Sequence, residues 1–156
     1  MQCIFLHGLD SSGNGTKGRF FARHFPAVLR PDFSGDLAAR LAYLETIAAG
    51  EAPLLLVGSS YGGLMATFFA LTHPARIYRL VLLAPALNFP EFSRRPPGRI
   101  AADTRLYIGR DDTVTPPAQV VPAARELFAE LRVEEVADDH LLHATFTRLD
   151  WQALLV

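Results

Sequence analysis

A single cysteine among 156 residues leaves no partner for an intrachain disulfide. Cys3 sits in the apolar run Cys3-Ile4-Phe5-Leu6, where a buried strand residue without a redox role is expected. Long hydrophobic runs are missing as well. Leu54-Leu55-Leu56-Val57 and Leu80-Val81-Leu82-Leu83 fall well short of the ~20 residues that a membrane span requires. Met1 and Gln2 lead straight into the first apolar run, so no secretory leader is expected and a cytoplasmic, reducing setting fits. Charge of one sign is scarce too. The formal net charge is -1, and the one arginine cluster is Arg94, Arg95 and Arg99, which excludes the electrostatic footprint of a nucleic-acid binder. That cluster is expected to be solvated surface. Neither an internal repeat nor a low-complexity linker interrupts the chain, and nothing in it indicates an oligomeric state.

What is present suits one globular domain, residues 1–156, with a single continuous core: half of the residues are hydrophobic and a fifth are charged. Short runs rich in Val, Ile, Leu and Phe alternate with helix-period stretches. The predicted strands are Cys3 to Leu6, Ala27 to Arg30, Leu54 to Val57, Leu80 to Leu83, Thr104 to Ile108 and Val133 to Val136. The predicted helices are Gly18 to His24, Asp36 to Ala49, Tyr61 to His73, Ala118 to Leu131 and His143 to Leu155. Such alternation implies crossover connections, hence an α/β architecture: a mainly parallel sheet of about six strands with helices on both faces. Asp36 is suited to cap the second helix, Pro74 stops the third, and Pro116 and Pro117 open the fourth. Pro85 to Asp103, with Pro90, Pro96, Pro97 and Gly98, reads as a surface excursion too short for a cap domain.

In a sheet of this kind ligands bind beyond the carboxyl ends of the strands, and three of the following loops agree with one another. Leu54 to Val57 runs into Gly58-Ser59-Ser60-Tyr61-Gly62-Gly63 and then a helix, a G-x-S-x-G motif centred on Ser60 in the strand-turn-helix context it needs. Gly58 and Gly62 leave room for a sharp turn that lifts the hydroxyl into a cleft. The backbone N–H of Tyr61, at a helix N-terminus, is suited to hold a developing oxyanion, with the N–H of Leu9 in His7-Gly8-Leu9-Asp10 as the second donor. The turn Gly109-Arg110-Asp111-Asp112-Thr113-Val114-Thr115-Pro116 presents two carboxylates. The segment Asp138-Asp139-His140-Leu141-Leu142-His143 brings two histidines. A serine hydroxyl needs a base to take its proton and a carboxylate to orient that base, and the chain order serine, aspartate, histidine supplies both.

These segments resemble the α/β-hydrolase superfamily, and within it the small bacterial esterases of the YqiA type. The resemblance rests on Phe5-Leu6-His7-Gly8-Leu9-Asp10-Ser11-Ser12, on Gly58 to Gly63, on Gly109 to Pro116 and on Asp139-His140-Leu141, and so spans nearly the whole chain. It implies a minimal α/β-hydrolase fold without a large cap, and carboxylic-ester hydrolysis without a cofactor. In the family the acid usually lies four residues before a proline, which selects Asp112 over Asp111. The loop length that its members use favours His140, although His143-Ala144 also matches some of them. No metal-ligand set is assigned. The expected chemistry is an acyl-enzyme on Ser60 formed from a small or short-chain ester, with Phe89, Phe92 and Tyr61 lining the acyl site.

Two rival readings compete. Gly13-Asn14-Gly15-Thr16-Lys17-Gly18 spells G-x-G-x-x-G, with Asp32 about twenty residues past the first glycine, as in a dinucleotide-binding turn. Against it, His7 to Ser12 separate the glycines from their strand, and Asn14 breaks a Walker A pattern; Lys17 is then a surface residue or a loop anchor. A non-catalytic module on the same fold is the other rival, and such modules commonly lose the nucleophile or base. His24 and His73 lie near predicted helix ends and carry no catalytic expectation, while His7 is expected to shape its loop.

Overall fold

Because successive strand residues face opposite sides, the strands of this chain divide its apolar residues between two layers. Residues 1–156 are described by a computed structural model. It contains β1 (Gln2–Leu6), α1 (Thr16–His24), α2 (Leu37–Ile47), β2 (Leu54–Ser59), α3 (Tyr61–Thr72), β3 (Ile77–Leu83), β4 (Asp103–Gly109), α4 (Pro117–Leu127), β5 (Leu131–Val136) and α5 (Trp151–Leu154). The five strands are all parallel and lie side by side in chain order. One row across the sheet reads Leu6, Gly58, Leu82, Leu106, Val133.

Ile4, Leu6, Leu54, Leu56, Leu80, Leu82, Leu106 and Ile108 face the layer of α2, α3 and α4. Their alternates Phe5, Leu55, Val57, Val81, Leu83 and Tyr107 face Phe21 of α1, Phe146, and Trp151 and Leu154 of α5. Each fully buried Leu or Phe among them contributes about 1.5–3 kcal/mol of transfer free energy. Helix α3 is buried from Tyr61 to Ala70, as its nearly continuous apolar sequence requires. Asp36 caps α2 by accepting from the N–H of Ala39 at 2.9 Å. Cys3 lies in β1, where burial pushes its thiol up to about 12, so it carries no thiolate at neutral pH. No helix is long and apolar enough to cross a membrane.

The sheet has five strands, and the sixth expected from Ala27 to Arg30 is a single bridge, Leu29 to Ile4. Two hydrogen bonds make it, from the N–H of Phe5 to Leu29 and from the N–H of Leu29 to Cys3. Pro26 and Pro31 flank the run, and proline cannot extend a ladder. The bridge still matters for position. From β1 the chain first goes outward to Leu29 and then returns past β1 to β2 on its other side, which makes the β1–β2 junction the topological switch point of the sheet.

Helix α4 stops at Leu127 and does not reach Leu131, because Phe128 pairs with Ile100 and the chain enters β5 at Leu131. Pro85 to Asp103 is an excursion with one short 3-10 turn, Pro90–Arg94, and builds no cap. The helix expected from His143 to Leu155 is replaced by a 3-10 turn at Phe146–Arg148 and the four-residue α5. The chain turns extended at Leu149 (φ -63°, ψ 145°), and Asp150 then caps the short α5 by accepting from the N–H of Ala153 at 3.0 Å, so the run is divided into two short turns. Upstream, Asp138 accepts from the N–H groups of Asp139, Ala144 and Thr145 at 2.8, 3.0 and 2.8 Å and ties this segment to its own start.

Burial raises the pKa of Asp138, but its hydrogen bonds to Thr145, Asp139 and Ala144 outweigh that and hold the carboxyl below its ordinary 3.8. A depressed folded pKa stabilises the native state above the unfolded value, and the contribution disappears as the pH falls through the folded one. Wild type should therefore exceed Asp138→Ala in unfolding free energy above pH 3.8, with the gap narrowing in stronger acid. Urea titrations of both proteins from roughly pH 3 to 7 check this; a gap that widens toward acid contradicts it.

Candidate active site

The turn between β2 and α3 holds Ser60 at φ 55°, ψ -114°, a backbone state that costs a non-glycine residue about 1–3 kcal/mol. Its surroundings leave no alternative. The N–H of Ser60 donates to Leu83 at the end of β3, and its carbonyl accepts from Gly63 and Ala86. A Cβ on Gly62 would lie 1.9 Å from the Leu6 carbonyl oxygen, and one on Gly58 2.5 Å from that of Gly62. Both positions therefore require glycine for close backbone approach, as the motif suggested.

From that turn Ser60 Oγ stands 3.0 Å from Nε2 of His140, and His140 Nδ1 stands 2.7 Å from Oδ2 of Asp112. The Asp112 side chain is 0% exposed and that of His140 19%. Asp112 Oδ1 accepts from the N–H groups of Val114 and Thr115 at 2.9 and 2.8 Å, while the Thr115 hydroxyl donates to Oδ2 at 2.7 Å. Thr115, itself fully buried, was not singled out from the sequence. Its signal was the spacing Asp112-Thr113-Val114-Thr115, in which an Asp side chain caps the N–H groups two and three residues on. Asp111 is exposed. His143 points away to Asp139, with Nδ1 2.7 Å from Oδ2 and a side chain 66% exposed. Of the two acids and two bases the sequence offered, the geometry joins Asp112 and His140 to Ser60.

The loop after β1 completes the arrangement. The N–H of Phe33 donates to Nε2 of the buried His7 at 2.8 Å. That leaves Nδ1 as the protonated nitrogen, which donates to the Gly8 carbonyl at 2.7 Å. Because the peptide is planar and trans, fixing the Gly8 carbonyl fixes the Leu9 N–H on the opposite side. His7 thus shapes its loop. The N–H groups of Leu9 and of Tyr61 have no partner within the chain. The Tyr61 phenol, pushed up to about 12 by burial and by the Glu91 carboxylate, stays neutral.

Ser60 and His140 open into a cleft of ≈ 770 Å³, whose wall includes Leu9, Phe89, Val114 and Leu141. Phe89 is there as expected, whereas the Tyr61 ring, 6.1 Å from it between centroids, is buried and stays outside the cleft wall. Phe92 is not part of it: it is buried in the core beneath the Arg95 guanidinium, 4.1 Å from its ring centroid. Arg94 and Arg99 are exposed, which agrees with a solvated face. The Gly13 to Gly18 motif serves packing. Asp32 Oδ1 accepts from the N–H of Gly13 at 2.7 Å, and a Cβ on Gly13 would meet the Arg30 carbonyl oxygen at 2.0 Å. The acidic residue that a dinucleotide ribose would need is thereby engaged with the motif itself. Lys17 is an anchor, donating from Nζ to the Leu141 carbonyl at 2.7 Å.

Comparison with known proteins agrees with this architecture. Among solved structures, a Xanthomonas campestris protein assigned to the α/β-hydrolase superfamily aligns at TM-score 0.76 and 26% identity, over 94% of this chain and 91% of that one. The monoacylglycerol lipase of Paleococcus ferrophilus gives 0.73 and 19%, over 98% and 93%. Est1E of Butyrivibrio proteoclasticus, with ferulic acid bound, gives 0.75 and 15%, over 97% and 85%. The latter two are similar in fold alone. No curated protein sequence matches the chain. The model of the hydrolase family described as serine aminopeptidase, S33, matches residues 4–102, from β1 through the elbow and the excursion that follows β3. With that match over more than half of its length, the chain belongs to this family of α/β hydrolases.

Proposed function

We propose that this hydrolase is a serine esterase that cleaves small or short-chain carboxylic esters through an acyl-enzyme on Ser60. The observation that carries the reading is the continuous relay from Ser60 Oγ through His140 to the buried Asp112, with contacts of 3.0 and 2.7 Å. His140 Nε2 removes the hydroxyl proton as Ser60 Oγ bonds to the ester carbonyl carbon, and Asp112 holds the imidazole in the tautomer with its proton on Nδ1. The carbonyl oxygen gains negative charge and takes hydrogen bonds from Leu9 and Tyr61 N–H, in a site where fixed donors need no reorganisation. As the intermediate collapses, the bond to the alkoxide breaks and His140 returns the proton to the leaving alcohol. Water then repeats the sequence on the acyl-enzyme, with His140 again as base, and releases the acid.

Two features favour small esters. The excursion between β3 and β4 forms only a short 3-10 turn, so it covers little of an acyl chain, and the cleft has room for a compact substrate. An ester substrate is also in keeping with two fold neighbours, a monoacylglycerol lipase and an Est1E with bound ferulic acid. Peptide N-termini fit less well. A substrate ammonium calls for carboxylates, whereas the cleft wall has Asp10 as its sole acidic residue, beside Lys17 and Arg19.

Ser60→Ala and His140→Ala should each lower kcat on p-nitrophenyl butyrate by about four to six orders of magnitude, with Asp112→Ala somewhat less damaging. His143→Ala should stay within about tenfold of wild type. Wild type should react with a fluorophosphonate to give a mass shift that Ser60→Ala lacks. Folded wild type that neither turns over esters nor takes the label supports a non-catalytic module instead. Across an acyl series, kcat/KM should level off at short chains. A buried methylene is worth ~0.8 kcal/mol, or about fourfold per carbon, so a steady rise of that size beyond about ten carbons would show a long acyl tunnel and reject the small-ester preference.

A further inference from the structure

The segment that carries His140 is short of regular support. It leaves β5, an edge strand, and reaches no α-helix until α5. Leu142 adopts φ +52° and buries its side chain in the layer of α1 and α5. Most of the polar ties in the segment join it to itself: Asp138 holds Ala144 and Thr145, and Asp139 holds the Leu141 N–H and His143. Apart from the groups that contact His140 directly, one side chain from elsewhere grips it. Lys17, in the first turn of α1, donates to the carbonyl of Leu141, the residue that follows His140, across 124 positions of sequence.

This ammonium is closely surrounded. It lies over the Phe146 ring, 5.4 Å from the centroid. Burial lowers its pKa, while Asp139 and Asp138 pull it upward. A lysine gives up hydration to sit there, and its contacts with the Leu141 carbonyl and the Phe146 ring join the start of α1, at the end of the loop after β1, to the loop after β5. Those loops supply the Leu9 N–H and His140.

We infer that Lys17 is a positioning residue for His140, its ammonium fixing the Leu141 carbonyl and with it the distance from His140 to Ser60. The inference rests on the esterase reading above. The base must sit within hydrogen-bond reach of the serine, and a displacement of about 1 Å costs on the order of 10²-fold in rate. Lys17→Met keeps an unbranched apolar stem against Phe146 and removes the donor. Lys17→Arg keeps a cationic donor.

The test is steady-state hydrolysis of p-nitrophenyl butyrate by wild type, Lys17→Met and Lys17→Arg, with thermal midpoints and amide hydrogen exchange over residues 138–145. Lys17→Met should lose about 10- to 100-fold in kcat with KM within about threefold, and its 138–145 amides should exchange faster. Lys17→Arg should recover most of kcat. Three results overturn the inference in an active wild type: Lys17→Met retaining kcat within about twofold, a loss confined to KM, which makes Lys17 a substrate contact, or a loss that Lys17→Arg fails to relieve although exchange stays slow. If wild type is inert to esters and to fluorophosphonate, the esterase reading fails, and the inference with it.

Discussion

A carboxylate with no exposed surface is costly to place inside a protein, and the Asp112 side chain has none. A buried charge is tolerated only when its acceptor sites are filled. Oδ1 takes two backbone N–H groups, and Oδ2 takes the Thr115 hydroxyl and His140 Nδ1. Filling them demands that residues 112–115 fold back into a turn, and that a donor arrive from the loop beyond the neighbouring strand. Since β4 and β5 are paired up to Gly109 and Val136, the two loops leave the sheet side by side and the donor is His140. The position of the imidazole follows from the needs of the acid, and Ser60 has only to be presented at its far nitrogen.

Presentation of Ser60 and placement of the first loop share one close contact. Gly62 lets α3 approach so near that its missing Cβ would lie 1.9 Å from the Leu6 carbonyl oxygen and 2.9 Å from that of His7. The same stretch of chain carries the His7 ring that fixes the Gly8 carbonyl. The elbow therefore does more than strain one serine. It locks the start of α3, with the Tyr61 N–H, against the end of β1, with the Leu9 N–H. Both lie at the switch point that Leu29 creates by pairing on the outer side of β1, where the divergence of crossovers opens a crevice.

The parts of this arrangement that are legible in the sequence are those encoded within a few residues. Strand, glycine, serine, glycine and helix follow one another from Leu54 to Thr72, and the order of the three loops survives any error in strand boundaries. Choosing Asp112 over Asp111 from residues alone is another matter: both occupy one turn, and the difference between them is burial, a tertiary property. Phe92 illustrates the same limit, since an aromatic residue in an irregular segment has no periodicity to say whether it faces core or cleft. The run from Ala27 to Arg30 has strand composition, yet its flanking prolines leave a single bridge. The run from His143 to Leu155 has helix periodicity, yet the chain turns extended at Leu149 and restarts at the Asp150 cap. A single extended residue between two short turns is invisible to a window that weighs each residue by propensity.

An active site without a cover has to obtain its electrostatics from backbone that is rigid before substrate arrives. In the proposed reaction the two oxyanion donors are main-chain N–H groups, one pinned through the neutral His7 and the other at the head of a helix buried along ten residues. Neither depends on a lid closing, so the donors are in place before substrate arrives and need no reorganisation. Selection among substrates then passes to the lips of the cleft. Leu9, Val114 and Leu141 each stand beside a site residue and are 46%, 47% and 53% exposed, which leaves aliphatic surface for a substrate to cover. Their backbones are tied to the machinery: the Val114 N–H to Asp112, the Leu141 carbonyl to Lys17, and Leu9 N–H fixed through Gly8. Exposure of these side chains is thus a consequence of how the acid, base and oxyanion loops are held, and specificity in such a site is inherited from the same hydrogen bonds that build the chemistry.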